Sequence, residues 1–445
     1  MSMLRADKPN EPAFPSKGAS AEDVLQRIDE FKQETPSRTY GKFSLHAMEG
    51  SDAIQDVGEQ AYRKFIRFNT VFSFMLEGLG RIEDDLHDMC VEMLNGGEQG
   101  RANITSGGSE SIYCALHAMR EWARATRPHI TTPEVVVPYS AHISFSRGAH
   151  FLDIKLIRVP VAKDYRADVG AMERAIGPNT IGLAASAPSW SYDLFDPISE
   201  VAALAQQHDL WCHVDACVGG FLAPFVCKAG YPIPDYDFTV PGVLSISADL
   251  HKYGYSPKPC SAVIWRSEEQ QKYHYCAGTD WPTGPYVTQS LLGSGPAGAT
   301  VAAWAVLNHL GEEGYTAIAR GIMETKQKLI DGIADIDGVS TWTSDTSILL
   351  IDSDEFEIDK LVGGMQALGW VLFGNHEPPL IHLTVETASD EVVQLFLSDL
   401  TKVTNTLRAG QDIESGALAY SSDGAEGGER APRWAKRAWA LIESR

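Results

Sequence analysis

The chain has 445 residues and a formal net charge of −22, because 59 aspartate and glutamate residues outnumber 37 lysine and arginine residues. Hydrophobic residues make up 44% and charged residues 22% of the sequence, which is typical of a globular protein and excludes a disordered or collagen-like chain. The acidic excess disfavours binding to nucleic-acid phosphates or to an anionic membrane surface. We therefore expect a globular protein of about two to three domains, with no nucleic-acid and no membrane partner.

The cysteines and the N-terminal segment bear on the cellular compartment. Seven cysteines, an odd number without a C-x-x-C pair, favour reduced thiols over a disulfide framework or a zinc ribbon. The first 20 residues lack the apolar core of a signal peptide, and apolar stretches such as Val301 to Leu310 are too short to span a bilayer. We expect a soluble, cytoplasmic protein.

The predicted elements begin with a loose arm to about Lys17 and two amphipathic helices, over residues 21–34 and about 81–94. The apolar face of the first helix comprises Val24, Leu25, Ile28 and Phe31. Asn95-Gly96-Gly97 ends the second helix, since glycine and asparagine favour helix termination.

Between residues 102 and 266, short β-rich runs alternate with helical patterns, which predicts parallel strands joined by helices on both faces of the sheet. The predicted strands are Ala102–Thr105, Glu134–Pro138, Lys155–Val159, Ile181–Ala185, Leu210–Val214, Val243–Ser247 and Ala262–Trp265. The helical patterns between the earlier strands are Ser109–Ala125, Ala167–Ile176 and Ile198–His208.

A long helix is predicted after the sheet, over about Pro296 to His309, and a smaller α+β region follows it to about Arg408. The stretch from Ala409 to Arg430 is rich in glycine, serine and acids, which is typical of a mobile linker. The chain is therefore divided into an N-terminal arm with helices (1–80), a large domain (81–314), a small C-terminal domain (315–408) and a flexible tail (409–445).

Three segments with ligand-binding or reactive residues follow predicted strands, at the edge of an open α/β sheet where ligands bind. Gly107 and Gly108 form a strand–turn–helix segment that suits a phosphate, because glycines let the backbone approach and free amides at a helix N-terminus attract an anion. Asp215 places a carboxylate at the end of another strand, and the pair His251-Lys252 follows a third.

A phosphate cradle, an acid and a lysine together indicate pyridoxal phosphate (PLP). In PLP enzymes a lysine holds the cofactor as a Schiff base, and an acid keeps the pyridine nitrogen protonated so that the ring becomes an electron sink. His142 follows another strand, in a position to stack on the ring. Each of these residues alone is commonly structural, and their shared position at one sheet edge is what indicates the cofactor.

Three other motifs are similar to a dinucleotide site, a nucleophile elbow and a metal site, but each departs from the required pattern. Residues 293–298 spell G-x-G-x-x-G but follow the sheet pattern rather than open it, which disfavours a dinucleotide site. Gly107 to Ser111 is similar to a nucleophile elbow but lacks its final glycine. His213 and His251 lack metal-ligand spacing, and no metal is predicted.

Three strings closely resemble the sphingosine-1-phosphate lyase branch of the group II PLP-dependent decarboxylases. They are TSGGSES (105–111), HVDACVGGF (213–221) and SISADLHKYGYSPK (245–258), and the likeness runs from about Asn69 to Gly314. The resemblance implies an α/β protein of fold-type I, with a mostly parallel seven-stranded sheet, helices on both faces and a small α+β C-terminal domain. It also implies an obligate homodimer.

The resemblance assigns cofactor roles by matching position. Lys252 would carry the cofactor, Asp215 would pair with the pyridine nitrogen and His142 would stack on the ring. The cofactor phosphate would be held by Gly108, Ser109 and His251.

Other matching positions concern the partner subunit and the substrate. In the family, a Gly-Ser segment of the neighbouring subunit completes the phosphate site, and Gly293 and Ser294 match it here. Tyr192 and Lys258 match the active-site tyrosine and the second lysine of the lyases. The active site is thus expected to be shared across a dimer interface.

Departures from the family pattern concern the substrate rather than the cofactor. The family's Asn-Pro-x-His is replaced by a segment that ends in Phe72, and Phe43 lies close to the position of a family tyrosine. The family's Ser-Arg-Pro-Gly becomes residues 294–297, without the arginine. Loss of these polar and cationic groups favours a smaller or more apolar substrate than a phosphorylated long-chain base, with Phe72 and Phe43 as substrate contacts.

We therefore hypothesise a PLP-dependent carbon–carbon lyase that acts on a β-hydroxy amine or an amino acid through an external aldimine. Tyr192 would accept the β-hydroxyl proton as an aldehyde leaves. An amino-acid decarboxylase, which releases carbon dioxide with the same cofactor geometry, is the close alternative. A non-catalytic PLP-fold binding protein and a nucleotide-dependent dehydrogenase are more distant ones.

Overall fold

The main sheet has seven strands in the order β1-β7-β6-β5-β4-β2-β3. The computed structural model describes residues 17–34, 48 and 50–416. Its main-sheet strands are Arg101–Thr105 (β1), Glu134–Pro138 (β2), Lys155–Val159 (β3), Thr180–Ser186 (β4), Trp211–Asp215 (β5), Val243–Ala248 (β6) and Ser261–Trp265 (β7). The predicted mostly parallel, seven-stranded sheet is confirmed, with every strand end within one residue of its predicted position.

Helices cover this sheet and connect its strands. Those up to the end of the sheet are Ala21–Glu34 (α1), Asp52–Phe65 (α2), Glu77–Met93 (α3), Gly108–Thr126 (α4), Ser144–Leu152 (α5), Val169–Ala175 (α6), Ile198–Gln207 (α7) and Ala223–Lys228 (α8). Those after the sheet are Glu268–Gln271 (α9), Ala297–Ile333 (α10), Ile358–Ala367 (α11) and Asp390–Arg408 (α12). A short 3-10 segment, Thr70–Met75, precedes α3.

Strand β2 shows why the sheet lies between two helical layers. Its side chains alternate between faces, so Val135 and Val137 join one apolar cluster while Val136 joins the cluster on the opposite face. All three are fully buried. A continuous apolar run is typical of a parallel strand covered on both sides.

The strand directions bring several loops to one edge of the sheet. Strands β2 to β6 pair in parallel, and β7 runs antiparallel to both β6 and β1. Because β1 and β6 are both antiparallel to β7, β1 points the same way as β6. The carboxyl ends of β1, β2, β4, β5 and β6 therefore meet at the same edge, where the predicted site residues follow them.

A second, smaller sheet lies in the C-terminal part of the chain. It is antiparallel, in the order β10-β11-β13-β12, with strands Ser340–Thr341 (β10), Ile348–Asp352 (β11), Phe373–His376 (β12) and Pro379–Thr384 (β13). Helices α11 and α12 pack on it around a core of its own, which confirms the predicted α+β region. A separate hairpin joins Cys276–Gly278 (β8) to Tyr286–Thr288 (β9).

Helices α10 and α1 each have a feature that the sequence pattern does not predict. The predicted end of the long helix near His309 lies close to a kink at Gly311 (φ 56°, ψ −176°), where the backbone is not helical, and α10 resumes beyond this kink and runs to Ile333. Helix α1 has its predicted bounds, but the four residues of its apolar face are 39–61% exposed. None of the described helices is long and apolar enough to cross a membrane.

The predicted division into four segments stays a prediction. Residues 411–416 lie against α11, where the amide of Gly416 donates to the carbonyl oxygen of Asp359. Residues 1–16, 35–47 and 49 of the predicted N-terminal segment and residues 417–445 of the predicted tail lie outside the described residues.

Candidate active site

A cavity of about 340 Å³ opens at the carboxyl edge of the main sheet. Six predicted site residues line it: Gly108, Ser109, His142, Asp215, His251 and Lys252. A larger cavity, of about 580 Å³, lies between α3, α8 and α10 and is lined by other residues. The sheet edge is the candidate site because the groups that can bind an anion, protonate a ring nitrogen and supply an amine converge there.

The glycine turn after β1 forms a narrow cradle. Gly107 has φ 144°, a conformation that side-chain-bearing residues rarely adopt. A Cβ atom at Gly108 would lie 2.8 Å from both Asp249 Oδ1 and Cys217 Sγ, so only glycine fits this position without a shift. Helix α4 begins at Gly108, and its free amides favour an anion such as a phosphate.

A chain of hydroxyl groups connects this turn to His142. The Oγ atoms of Ser109 and Ser144 are 2.7 Å apart, and Ser144 Oγ is 2.8 Å from His142 Nδ1. These bonds fix the orientation of the His142 ring. Burial lowers the pKa of His142, so the ring is neutral near pH 7.

Asp215 ends β5 with its carboxylate inside the cavity wall. Its Oδ1 atom accepts hydrogen bonds from the amide of Cys217 at 3.1 Å and from Ser247 Oγ at 3.3 Å. Ser247 Oγ is also 3.3 Å from His213 Nε2. Burial lowers the pKa of His213 to about 4, so this ring is neutral. Neutral donors therefore fix the Asp215 carboxylate in position.

Lys252 is paired with a carboxylate that was not among the predicted site residues. Its Nζ atom lies 3.0 Å from Asp249 Oδ2 and 5.9 Å from the centroid of the Trp190 ring. Burial lowers the pKa of Lys252, but the neighbouring Asp249, Cys217 and Asp215 outweigh that effect and hold it above its ordinary value. The amine is therefore protonated in this arrangement.

His251 lies beside the same carboxylate. Its Nδ1 atom accepts a hydrogen bond from the amide of Cys260 at 3.0 Å, which leaves Nε2 to face Asp249 Oδ2 at 3.7 Å. Burial lowers the pKa of His251, and the positive charges of Lys252 and Lys258 add to that effect. Lys258 itself is exposed outside the cavity.

The structure does not bring the remaining predicted residues into this cavity. Tyr192 is buried, and its hydroxyl donates to the carbonyl oxygen of Glu377 at 2.6 Å. Burial raises its pKa to about 12. Gly293 and Ser294 lie in an exposed loop, and Phe72 is 51% exposed in the 3-10 segment. Phe43 lies outside the described residues.

Two buried carboxylates near the cavity were missed by sequence reasoning. Asp249 lies three residues before Lys252, in one of the strings that resemble the family. That short spacing is the sequence feature that could have indicated a carboxylate beside the lysine. Glu110, one residue after Ser109, is also buried. Within the described part of the chain, no group of three or more histidine, cysteine, aspartate or glutamate side chains could hold a metal ion.

Comparison with known proteins identifies the family. The pyridoxal-dependent decarboxylase conserved domain matches residues 81–342. The chain belongs to the pyridoxal-dependent decarboxylase family. The predicted cofactor, fold-type I architecture and enzyme class are thereby confirmed: this is a PLP-dependent lyase of that family, similar to sphingosine-1-phosphate lyases.

Three relatives describe its place in the family. Mouse sphingosine-1-phosphate lyase 1 is 37% identical over 404 residues, which cover 90% of this chain and 71% of the relative. The structure of a Burkholderia pseudomallei sphingosine-1-phosphate lyase has a TM-score of 0.85 at 30% identity, covering 92% of this chain and 96% of that one. A probable L-aspartate decarboxylase of Pyrococcus abyssi is 30% identical over 393 residues, covering 88% of this chain and 99% of the relative.

The cavity fits the cofactor of this family. The cradle at Gly108, which a Cβ atom would fill, and the free amides of α4 suit the cofactor phosphate. A primary amine and a carboxylate, on Lys252 and Asp215, line the same cavity. These are the groups needed to hold the aldehyde and the ring nitrogen of PLP.

Proposed function

We propose that this enzyme is a carbon–carbon lyase that cleaves a β-hydroxy amine and releases an aldehyde. The carrying observation is that Lys252, Asp215, His142 and the glycine turn share one cavity at the sheet edge. Its similarity to sphingosine-1-phosphate lyases over most of the chain supports aldehyde release. When bound, PLP supplies an electron sink for the charge left as a bond to the amino-bearing carbon breaks.

In this proposal the cavity residues divide the work of holding the cofactor. Lys252 would hold it through Nζ, Asp215 would keep its ring nitrogen protonated and His142 would stack on the ring. The phosphate would lie on Gly108 and Ser109, with His251 beside it. The hydrogen bonds to Asp215 Oδ1 and to His142 Nδ1 keep both side chains in place before any ligand arrives.

The proton acceptor for a β-hydroxyl group is proposed to be Tyr192. Its hydroxyl donates to the carbonyl oxygen of Glu377, so Tyr192 would have to release that proton to solvent and act as the phenolate before it could accept a substrate proton. The raised pKa, about 12, makes the phenolate scarce but strongly basic. Lys258 and Phe72 are proposed as substrate contacts. Phe43 is proposed as a third substrate contact, on the basis of the sequence alone.

Amino-acid decarboxylation is the second candidate. The specific observation in its favour is that the match to the Pyrococcus probable L-aspartate decarboxylase covers 99% of that protein, whereas the match to the mouse lyase covers 71%. Loss of the family histidine at Phe72 also removes a polar group from the substrate region. Both reactions use the same cofactor site.

We also propose a homodimer in which each subunit completes the other's site. Gly293 and Ser294 lie outside their own subunit's cavity. Large apolar residues nearby are unusually exposed: Phe72 51%, Phe74 82%, Met75 70%, Leu291 55% and Leu292 41%. An apolar surface of this kind is typical of an obligate interface.

A reducing, cytoplasmic location is proposed from the seven cysteines, none of which is paired within the described residues.

The experiment is a panel of β-hydroxy amines and amino acids incubated with the PLP-loaded enzyme. Mass spectrometry of the products distinguishes an aldehyde, which supports the lyase, from carbon dioxide, which supports the decarboxylase. Absence of both products across the panel contradicts the proposed reaction class. Lys252→Ala is the control, since it should lose the absorbance of lysine-bound cofactor; retention of that band would contradict the proposed role of Lys252.

A further inference from the structure

Two cavities meet at the glycine turn. The cofactor cavity of about 340 Å³ and a neighbouring cavity of about 280 Å³ are both lined by Ser106 and Glu110. The second cavity is also lined by the 3-10 segment and by residues of the loop that follows β9, including Leu292 and Gly295. Glu110, which is only 6% exposed, therefore lies in the wall between the cofactor site and this loop.

The Glu110 carboxylate is bonded to both sides of that wall. Its Oε2 atom accepts hydrogen bonds from the amide of Ser106 at 2.7 Å and from Ser106 Oγ at 2.5 Å. Its Oε1 atom accepts from the amide of Leu291 at 2.7 Å. Hydrogen bonds to a carboxylate are stronger than those between neutral groups, and the first turn of α4 further stabilises negative charge.

The loop is otherwise anchored near its two ends. The side chain of Gln289 accepts a hydrogen bond from Asn103 Nδ2 at 2.9 Å. The amide of Gly295 donates to Asn69 Oδ1 at 2.9 Å. Between these anchors, the hydrogen bond from the Leu291 amide to Glu110 connects the loop, at a point two residues before Gly293, to the first turn of α4.

We propose that Glu110 is a positioning residue that couples occupancy of the phosphate turn to the order of residues 289–295. An anion on the turn restrains Ser106, Ser106 restrains Glu110, and Glu110 restrains the Leu291 amide. The inference rests on the proposed function in one respect: the anion is the phosphate of PLP. Because coupling between two sites is reciprocal, the ordered loop also strengthens cofactor binding. The same loop carries the Gly293-Ser294 pair that we propose for the partner's site.

Glu110→Gln tests this coupling by removing one of the two acceptor oxygens of the Glu110 side chain. The amide keeps the volume of the side chain but has one acceptor oxygen, so it cannot accept from both Ser106 and Leu291. Glu121→Gln makes the same chemical change on the same helix, at a partly exposed glutamate that pairs with Arg124. Thermal unfolding confirms that both variants are folded before the loop is examined.

Hydrogen exchange of residues 286–295 is measured with and without PLP. In the natural protein and in Glu121→Gln, PLP slows exchange of these amides by about tenfold, a typical size for coupling between sites. In Glu110→Gln that protection falls below about twofold, and the Kd for PLP rises by about tenfold. Equal protection in Glu110→Gln and the natural protein, or no protection in either, overturns the inference.

A second pair of variants leaves Glu110 intact. Leu291→Pro removes the amide that meets Oε1, whereas Leu291→Ala keeps it. Loss of PLP-dependent protection in the proline variant alone supports the coupling, and equal protection in both overturns it. A natural protein that takes up no PLP overturns the proposed function together with this inference, while normal uptake with unchanged loop protection overturns the inference alone.

Discussion

The Nζ atom of Lys252 lies 3.0 Å from the Oδ2 atom of Asp249, three residues earlier in the chain. This contact matters because a protonated amine cannot attack an aldehyde. Burial lowers the pKa of Lys252, but Asp249 is foremost among the groups that raise it above its ordinary value. Asp249 therefore helps to set the pH at which Lys252 becomes a nucleophile.

Asp249→Asn should shift that pH downwards. Removal of the carboxylate leaves burial to act against fewer negative charges, so the pKa of Lys252 falls. The rate at which absorbance of lysine-bound PLP appears should rise with pH in both proteins, with a midpoint at least about one unit lower in the variant. Asp235→Asn, at an exposed acid, should leave the midpoint unchanged. A midpoint in Asp249→Asn equal to that of the natural protein would contradict this role.

Gly108→Ala should weaken PLP binding. The new Cβ atom would lie 2.8 Å from Asp249 Oδ1 and from Cys217 Sγ, so the turn must move away from the phosphate position. We expect the Kd for PLP, measured by absorbance titration, to rise at least about tenfold, or about 1.4 kcal/mol. Gly78→Ala is the matched control, because no atom lies within 4 Å of its Cβ position. Tight binding by Gly108→Ala would show that the turn does not hold the cofactor.

Mixed dimers test whether the active site is shared. No atom lies within 4 Å of a Cβ atom at Gly293 in its own subunit, so Gly293→Asp should fold normally and place a carboxylate at the partner's phosphate site. Gly293→Asp and Lys252→Ala should each be inactive alone. Co-expressed, they should recover about a quarter of normal turnover, because half of randomly paired dimers are mixed and each contains one intact site. No recovery in isolated mixed dimers would contradict a shared site.

Tyr192→Phe distinguishes the two candidate reactions. If Tyr192 accepts the β-hydroxyl proton, the variant should bind PLP normally but lose about 100-fold or more in aldehyde release. Loss of carbon dioxide needs no such acceptor, so decarboxylation should change little. The lost hydrogen bond to Glu377 should cost about 1 kcal/mol of stability in either case. Unchanged aldehyde release in the variant would remove Tyr192 from the proposed chemistry.

Much of the fold follows from the sequence because the main strands are short apolar runs bounded by turns. Strand β4 is buried along its whole length, and β2 carries three consecutive valines. Such runs are stable only inside a covered sheet, so their bounds are predictable. The extension of α10 was not, because a glycine at position 311 can end a helix or kink it, and packing decides which.

The site shows the same division between local pattern and tertiary contact. The order of strand ends predicts that Asp215, His142 and Lys252 share an edge, since parallel strands fix that geometry. The pairing of Lys252 with Asp249 depends on the conformation of the loop after β6, which no periodicity specifies. The bond from Glu110 to Leu291 joins residues 181 positions apart and is likewise beyond local reasoning.

Covalent attachment of PLP to Lys252 is the central claim, and borohydride reduction tests it most directly. The PLP-loaded protein is reduced, digested and examined by mass spectrometry. We expect a phosphopyridoxyl adduct on Lys252, none on Lys258 six residues later, and none in Lys252→Ala. A protein without an adduct, or one that carries it on a different lysine, would contradict the assignment of this cavity as the cofactor site.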